Sequence, residues 1–271
     1  MSGSHDWSEA FVPRSAQHGV VLLVCAAIIV GACVVGRVML ARDLRGGVDV
    51  PRAGRERRWR WILAWSIIVI QTFIHARRVT PTHWDPGESL PLHLCRLGVW
   101  IAAWLLLTLD IRARALTLFW GIGLSMQIFF TPFLDKGHGS ISFWIYWLNH
   151  VQIVGVGVYD IGVLGYRPSW RDLRFASVLG VVYAALAAGL NAALGTNYSY
   201  LGAGTHDGAS LVDLLGPYPW RLITMTLGAL AVFAIIFGLS RGALLVRTRV
   251  LGKDPPRRID RSGVTAATVG P

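Results

Sequence analysis

Two side chains in this sequence are of types that could share covalent chemistry, Cys95 and His150. A thiol becomes a strong nucleophile when an imidazole within hydrogen-bond reach takes its proton. Cys95 lies in LPLHLCRL (90–97), beside His93 and Arg96. Ser89 as cap and Pro91 in the first turn would start a helix here. Cys95 then falls in the second turn, ~7 Å below the helix start. His93, two residues away, points ~200° around such a helix and makes a poor partner. His150 belongs to the stripe Tyr146, Asn149, His150 and Ile153, at a depth within one turn of that of Cys95. Arg96 and the helix N-terminus would both favour a thiolate. Spacing by itself favours the plainer alternative, a small packed Cys and a neutral His donating to a neighbouring helix.

The elements that must position these groups are apolar. Of 271 residues, 54% are hydrophobic and 15% charged, and the mean hydropathy is +0.50. A soluble domain carries about a quarter charged residues, so the membrane is the first hypothesis. Twelve Trp agree with it. The three cysteines form no disulfide framework, and Cys25 and Cys33 sit in one apolar run as packing residues.

Seven runs are long enough to span a bilayer, at about 19–40, 59–76, 90–109, 115–133, 141–165, 174–195 and 219–246. The expected fold is an all-α, multi-pass bundle of seven transmembrane helices. An external leader (1–18) precedes it, and a basic, disordered tail (247–271) comes after it. The first run is too long for a signal-peptide core, and its flank holds Arg14 against Asp6 and Glu9; it reads as a retained helix.

Lys and Arg test the topology. Those within 37–60, 112–114, 167–174 and 241–261 fall on one side, whereas Arg14, Arg77, Arg78, Lys136 and Arg221 fall on the other. The positive-inside rule puts the N-terminus outside and the C-terminus in the cytoplasm, with the plasma membrane as the expected location. The net charge of +11 is therefore spread over one membrane face. That favours anionic lipid headgroups as partners and removes the nucleic-acid reading.

In this orientation His5 and His18 fall in the leader, and His83, His138 and His206 in external loops. His75 and His93 fall at the outer boundary. Gln71, Gln127, Asn149, Gln152 and Asn191 all fall in the outer half of their spans. Polar groups at membrane depth face the bundle interior or a wet cavity. For any one of them, interhelical bonding worth about 0.6 kcal/mol is the simpler account. For the set, an outward-open polar pocket is expected.

Four blocks carry a family resemblance: LPLHLCRL (90–97); LFWGIGLSMQIFFTP (118–132); FWIYWLNHVQIV (143–154) with GYRP (165–168); and NAALGTNYSYL (191–201) with LLGPYPW (214–220). The chain resembles the YwaF-type bacterial integral membrane proteins. These are related to a eukaryotic transmembrane family proposed to act in phospholipid acyl transfer. The resemblance covers about residues 90–220 and implies a multi-helix membrane fold. Through the eukaryotic branch it implies an acyltransferase with Cys95 as nucleophile and His150 as general base.

The expected activity is acyl transfer or acyl hydrolysis on membrane lipids. Asn149, Gln127 or Asn197 would donate to the oxyanion, with Arg96, Gln152, Asn191 and Tyr198 as further substrate contacts. No cofactor is expected. The alternative is a transporter or solute-binding protein using the same pocket, although no inverted repeat supports it. A zinc site of His75, His83, His93 and Cys95 matches no closed ligand spacing, so no metal is expected. A reporter that fluoresces only in the cytoplasm, fused after Pro271, should be bright; a dark fusion at normal protein level would reverse the topology.

Overall fold

The computed structural model describes residues 8–48, 53–203, 215–246, 257–260 and 263–266. His5, His206 and most of the tail lie outside them. The helices are α1 (Ala16–Arg45), α2 (Arg55–Arg78), α3 (Pro86–Ser89), α4 (Leu94–Thr108), α5 (Ile111–Leu116), α6 (Gly123–Ser125), α7 (Ile141–Gly162), α8 (Trp170–Leu194) and α9 (Trp220–Leu245). A π turn (Thr117–Ile122) joins α5 to α6, and a 3-10 turn (Met126–Phe129) comes next, so residues 111–129 form one rod.

All seven expected spans are helical. Among the described residues, five stretches are long and apolar enough to cross a membrane: Ala16–Arg45, Pro86–Thr108, Ile141–Gly162, Trp170–Leu194 and Trp220–Ala243. The other two members of the bundle, α2 and the 111–129 rod, are set apart by the charges at both ends of α2 and by the π and 3-10 turns. Large apolar side chains face outward, as Leu23 and Phe73 do at 72% and 73% exposure. An apolar exterior of this kind suits lipid. The fold is a multi-pass, helical membrane bundle.

Local sequence explains most helix ends. The Ser15 hydroxyl accepts the His18 N–H, and Asp85 caps α3 ahead of Pro86. Ser169 and Asp172 form a reciprocal capping box at α8, and Gly195 ends that helix in the left-handed region. One start differs from expectation. The turn begun by Asp85–Pro86 stops at Ser89, residues 90–93 are not helical, and α4 begins at Leu94. The 8–15 segment is tied to the loop ahead of α7: Phe11 N donates to Asp135 O at 2.9 Å and Gly137 N to Glu9 O at 2.9 Å.

α4 lies between α2 and α7, and the π turn closes against α7. Ile153 on α7, fully buried, fills the seam. A Cβ on Gly98 of α4 would stand 3.4 Å from Ile153, and one on Gly121 of the π turn 2.9 Å. A side chain at Gly121 would force Ile153 to shift, whereas one at Gly98 would come into ordinary contact with it; the two glycines let three backbones approach.

Charge is buried at the end of the bundle where α4 finishes. Glu56 and Arg60 pair at 3.3 Å, the Tyr159 hydroxyl donates to Glu56 at 2.9 Å, and Asp43 accepts the Glu56 N–H at 2.9 Å. Arg60 also donates to Leu106 O. Arg114 and Asp160 form a second pair at 2.6 Å. Ile259 of the tail lands on that pair: its carbonyl accepts from Arg114 at 2.6 Å and its N–H donates to Leu164 O at 3.0 Å. In the tail, expected to be disordered, β1 (Arg257–Asp260) and β2 (Gly263–Ala266) pair antiparallel. Ile259 alternates into the apolar core, which local composition does not foretell.

Removing one partner of a buried ion pair strands the other. Arg114→Ala should lower stability in detergent by about 3–5 kcal/mol, read by thermal or denaturant unfolding. Replacing Arg114 and Asp160 together with Met and Leu should recover most of that loss.

Candidate functional site

Cys95 occupies the second position of α4, closer to the helix start than the sequence suggests. Its Sγ lies 3.8 Å from Ser125 Oγ. Gly98 and Gly121 both lie against Ile153, which joins them in a single layer. Cys95, Ser125 and His150 each stand three or four residues from one of those contacts, displaced toward the same end of the bundle. One helical turn above the Ile153 seam, three helices therefore present a thiol, a hydroxyl and an imidazole.

Cys95 and His150 do not hydrogen-bond one another. His150 Nδ1 lies 2.6 Å from the Tyr146 carbonyl, so Nδ1 carries the proton. That leaves Nε2 as a lone-pair acceptor, buried and, among the described residues, without a partner. The bond to the residue one turn earlier holds the ring along its own helix. Three tyrosines, Tyr146, Tyr183 and Tyr200, lie within electrostatic reach of Cys95. The Tyr200 hydroxyl, in the loop after α8, is pushed up to about 12, chiefly by burial and then by Cys95 and Glu88.

Arg96 turns away from the thiol. It pairs with Glu88 and donates to the Glu88 and Leu90 carbonyls. His93 is the N-cap of α4, but its side chain makes no bond to the helix: Nδ1 accepts the Ser199 N–H at 3.2 Å, and Nε2 donates to Gly87 O at 3.2 Å. Its ring meets Tyr198 edge-on at 5.4 Å.

The other polar residues divide into separate groups, not one pocket. Gln71 Nε2 donates to Asn149 Oδ1 at 2.7 Å and Gln152 Oε1 at 2.8 Å, joining α2 to α7. Asn191 is a loop anchor: its oxygen accepts from Tyr198 N at 2.7 Å and Thr196 Oγ1 at 2.9 Å, and its nitrogen donates to Tyr198 O at 3.1 Å. Asn197 Oδ1 accepts the Gly202 N–H at 2.8 Å. Tyr198 is fully buried, its hydroxyl donating to Pro86 O. Gln127 is exposed on the 3-10 turn. His83 is exposed and bonds Thr80 and Thr82, while His75 bonds Gln71 O and packs on Trp100. Among the described residues no three His, Cys, Asp or Glu gather as metal ligands.

A family model matches residues 14–237, which include every helix of the bundle but the end of α9. The chain belongs to the TMEM164 family. No curated protein and no solved structure matches it. The TMEM164 match takes in Cys95, Ser125, His150 and the Asn191–Tyr198 loop, and it stops before the tail hairpin. Sequence reading passed over Ser125, Tyr183, Ser199 and the buried charges Asp43, Glu56, Arg60, Arg114 and Asp160. The charges carried a usable signal, since ionisable groups at span boundaries seek partners. Ser125 and Ser199 carried none beyond lying inside the resemblance blocks.

Gln71 is the donor of both bonds that tie Asn149 and Gln152 to α2. Gln71→Met should therefore cost about 0.6–1.7 kcal/mol in detergent unfolding, the range for hydrogen bonds between membrane helices. A loss above about 4 kcal/mol would assign the cluster a larger structural role.

Proposed function

We propose that this TMEM164-family protein transfers acyl groups between membrane lipids through a thioester on Cys95. The observation that carries the reading is the level above Ile153, where the Cys95 thiol and the unpartnered His150 Nε2 rise from adjacent helices. The resemblance of LPLHLCRL and FWIYWLNHVQIV to an acyl-transfer family supports it.

The chemistry runs in two balanced halves. His150 Nε2 takes the Cys95 proton as sulfur attacks the ester carbonyl carbon. The carbonyl π pair moves to oxygen, then returns as the ester C–O bond breaks. The departing lipid oxygen takes the proton from His150, leaving an acyl thioester. An acceptor hydroxyl next gives its proton to His150 and attacks the thioester. The C–S bond breaks, and the sulfur recovers a proton. Catalytic hydrogen bonds absent from a free enzyme form when substrate arrives, so the gap between Cys95 and His150 is the one to close.

The Lys and Arg distribution supports chemistry in the outer half of the plasma membrane, with outer-leaflet lipid as substrate and the basic loops against anionic headgroups inside. The opposing account, a solute-binding or transport protein without chemistry, has less to work with. The amides that would hold a solute bond one another instead.

Purified protein in detergent micelles containing a phospholipid with a fluorescent acyl chain and a lysophospholipid acceptor should form unlabelled lysolipid from the donor and a fluorescent transacylated product. His150→Ala should lower the rate about 10²–10⁴-fold, the usual contribution of a general base. Cys95→Ala should abolish turnover. Undiminished turnover in Cys95→Ala would refute the reading.

A further inference from the structure

The proposed reaction needs a donor for the carbonyl oxygen when it becomes an oxyanion. Of the side chains expected to fill that role, Gln127 is exposed, while Asn149 and Asn197 are held by their oxygens, which accept from Gln71 Nε2 and Gly202 N. The backbone of α4 offers another donor. Leu94 N, the first amide of the helix, donates to Ser199 Oγ at 2.9 Å. The amides of Arg96 and Leu97 turn back to His93 O at 2.9 and 3.1 Å. The Cys95 N–H lies between them, on the same residue as the sulfur, and among the described residues it has no hydrogen-bond acceptor. It is also aligned with the positive end of a 15-residue helix.

The clamp that creates this arrangement comes from far along the chain. Ser199 stands at φ 53° and Tyr200 at φ 62°, left-handed conformations unusual outside glycine. Such residues persist when the surroundings over-determine them, and they gather at functional sites. Ser199 is held by Tyr183, whose hydroxyl meets Ser199 Oγ at 2.5 Å and donates to Leu92 O at 2.8 Å. Its N–H is held by His93 Nδ1, and His93 is fixed in turn by Gly87. Without the clamp, Leu94 N would compete for any acceptor approaching the sulfur.

We infer that His93 and Ser199 are positioning residues: they fix the first turn of α4 so that the Cys95 N–H faces the oxygen of the scissile carbonyl. This inference rests on the acyl-transfer reading. His93 acts through the backbone of residue 199 and touches no reacting atom.

Two measurements separate the inference from that reading. Hydrogen–deuterium exchange of the peptide spanning 90–98 in the full-length protein needs no turnover. Ser199→Ala and His93→Ala should speed exchange at Leu94 at least tenfold, and His93→Asn, which keeps an acceptor at the Nδ1 position, should restore most of the protection. Kinetics with the fluorescent phospholipid then read the consequence. Both alanine variants should lower kcat 10–100-fold with KM within twofold of the parent, and His93→Asn should recover most of kcat.

Unchanged exchange in the milder Ser199→Ala variant would overturn the clamp, whatever the activity. Faster exchange with kcat within twofold of the parent, or a loss confined to KM, would overturn the positioning role. Absence of turnover in the unmodified protein would instead bring down the acyl-transfer reading and the positioning role with it, leaving the clamp to stand or fall on exchange.

Discussion

A backbone inside a bilayer has no water to bond, so every amide and carbonyl at membrane depth must find a partner within the protein. The start of α4 obeys this constraint with help from a distant segment. The helix does not begin at a solvated rim under its own Ser or Asp cap. Its first amide is met by Ser199, brought in by the loop that Asn191 anchors. His93 and Tyr183 hold that serine from two sides. A nucleophile candidate at the second position of α4 thus depends on residues about a hundred positions away.

The same constraint shapes the opposite end. Arg60 finds Glu56 and the Leu106 carbonyl, and Arg114 finds Asp160 and the Ile259 carbonyl. These pairs are costly to bury and more costly to break. Glycine supplies the room between the ends: Gly98 and Gly121 admit Ile153, and Gly36 admits the Tyr159 ring, which fills the space a Cβ would need. Tight packing below and a borrowed cap above leave Cys95, Ser125 and His150 at one level on three helices.

The seven helices were legible in the sequence because apolar runs of bilayer length have few other readings. The start of α4 was not, for a physical reason. Asp85–Pro86 and Ser89–Pro91 both carry start signals, and the first took the short helix α3. The true cap, Ser199, leaves no mark in local sequence. Depth alone grouped the Gln and Asn residues as one pocket, yet residues at one depth on different helices can face different neighbours. Gln71, Asn149 and Gln152 of that set do meet, while Asn191 builds a loop and Gln127 faces outward. Ile259 was hidden by a basic tail whose composition reads as disordered.

The central claim is that an acyl group passes through the Cys95 sulfur. Intact-protein and peptide mass spectrometry after brief exposure to a phospholipid donor, quenched in acid, tests it most directly. The account predicts one added acyl mass on the peptide containing Cys95, removed by neutral hydroxylamine as a thioester is. Acyl product formed with no adduct on Cys95 at any quench time, or an adduct that persists in Cys95→Ala, would contradict it.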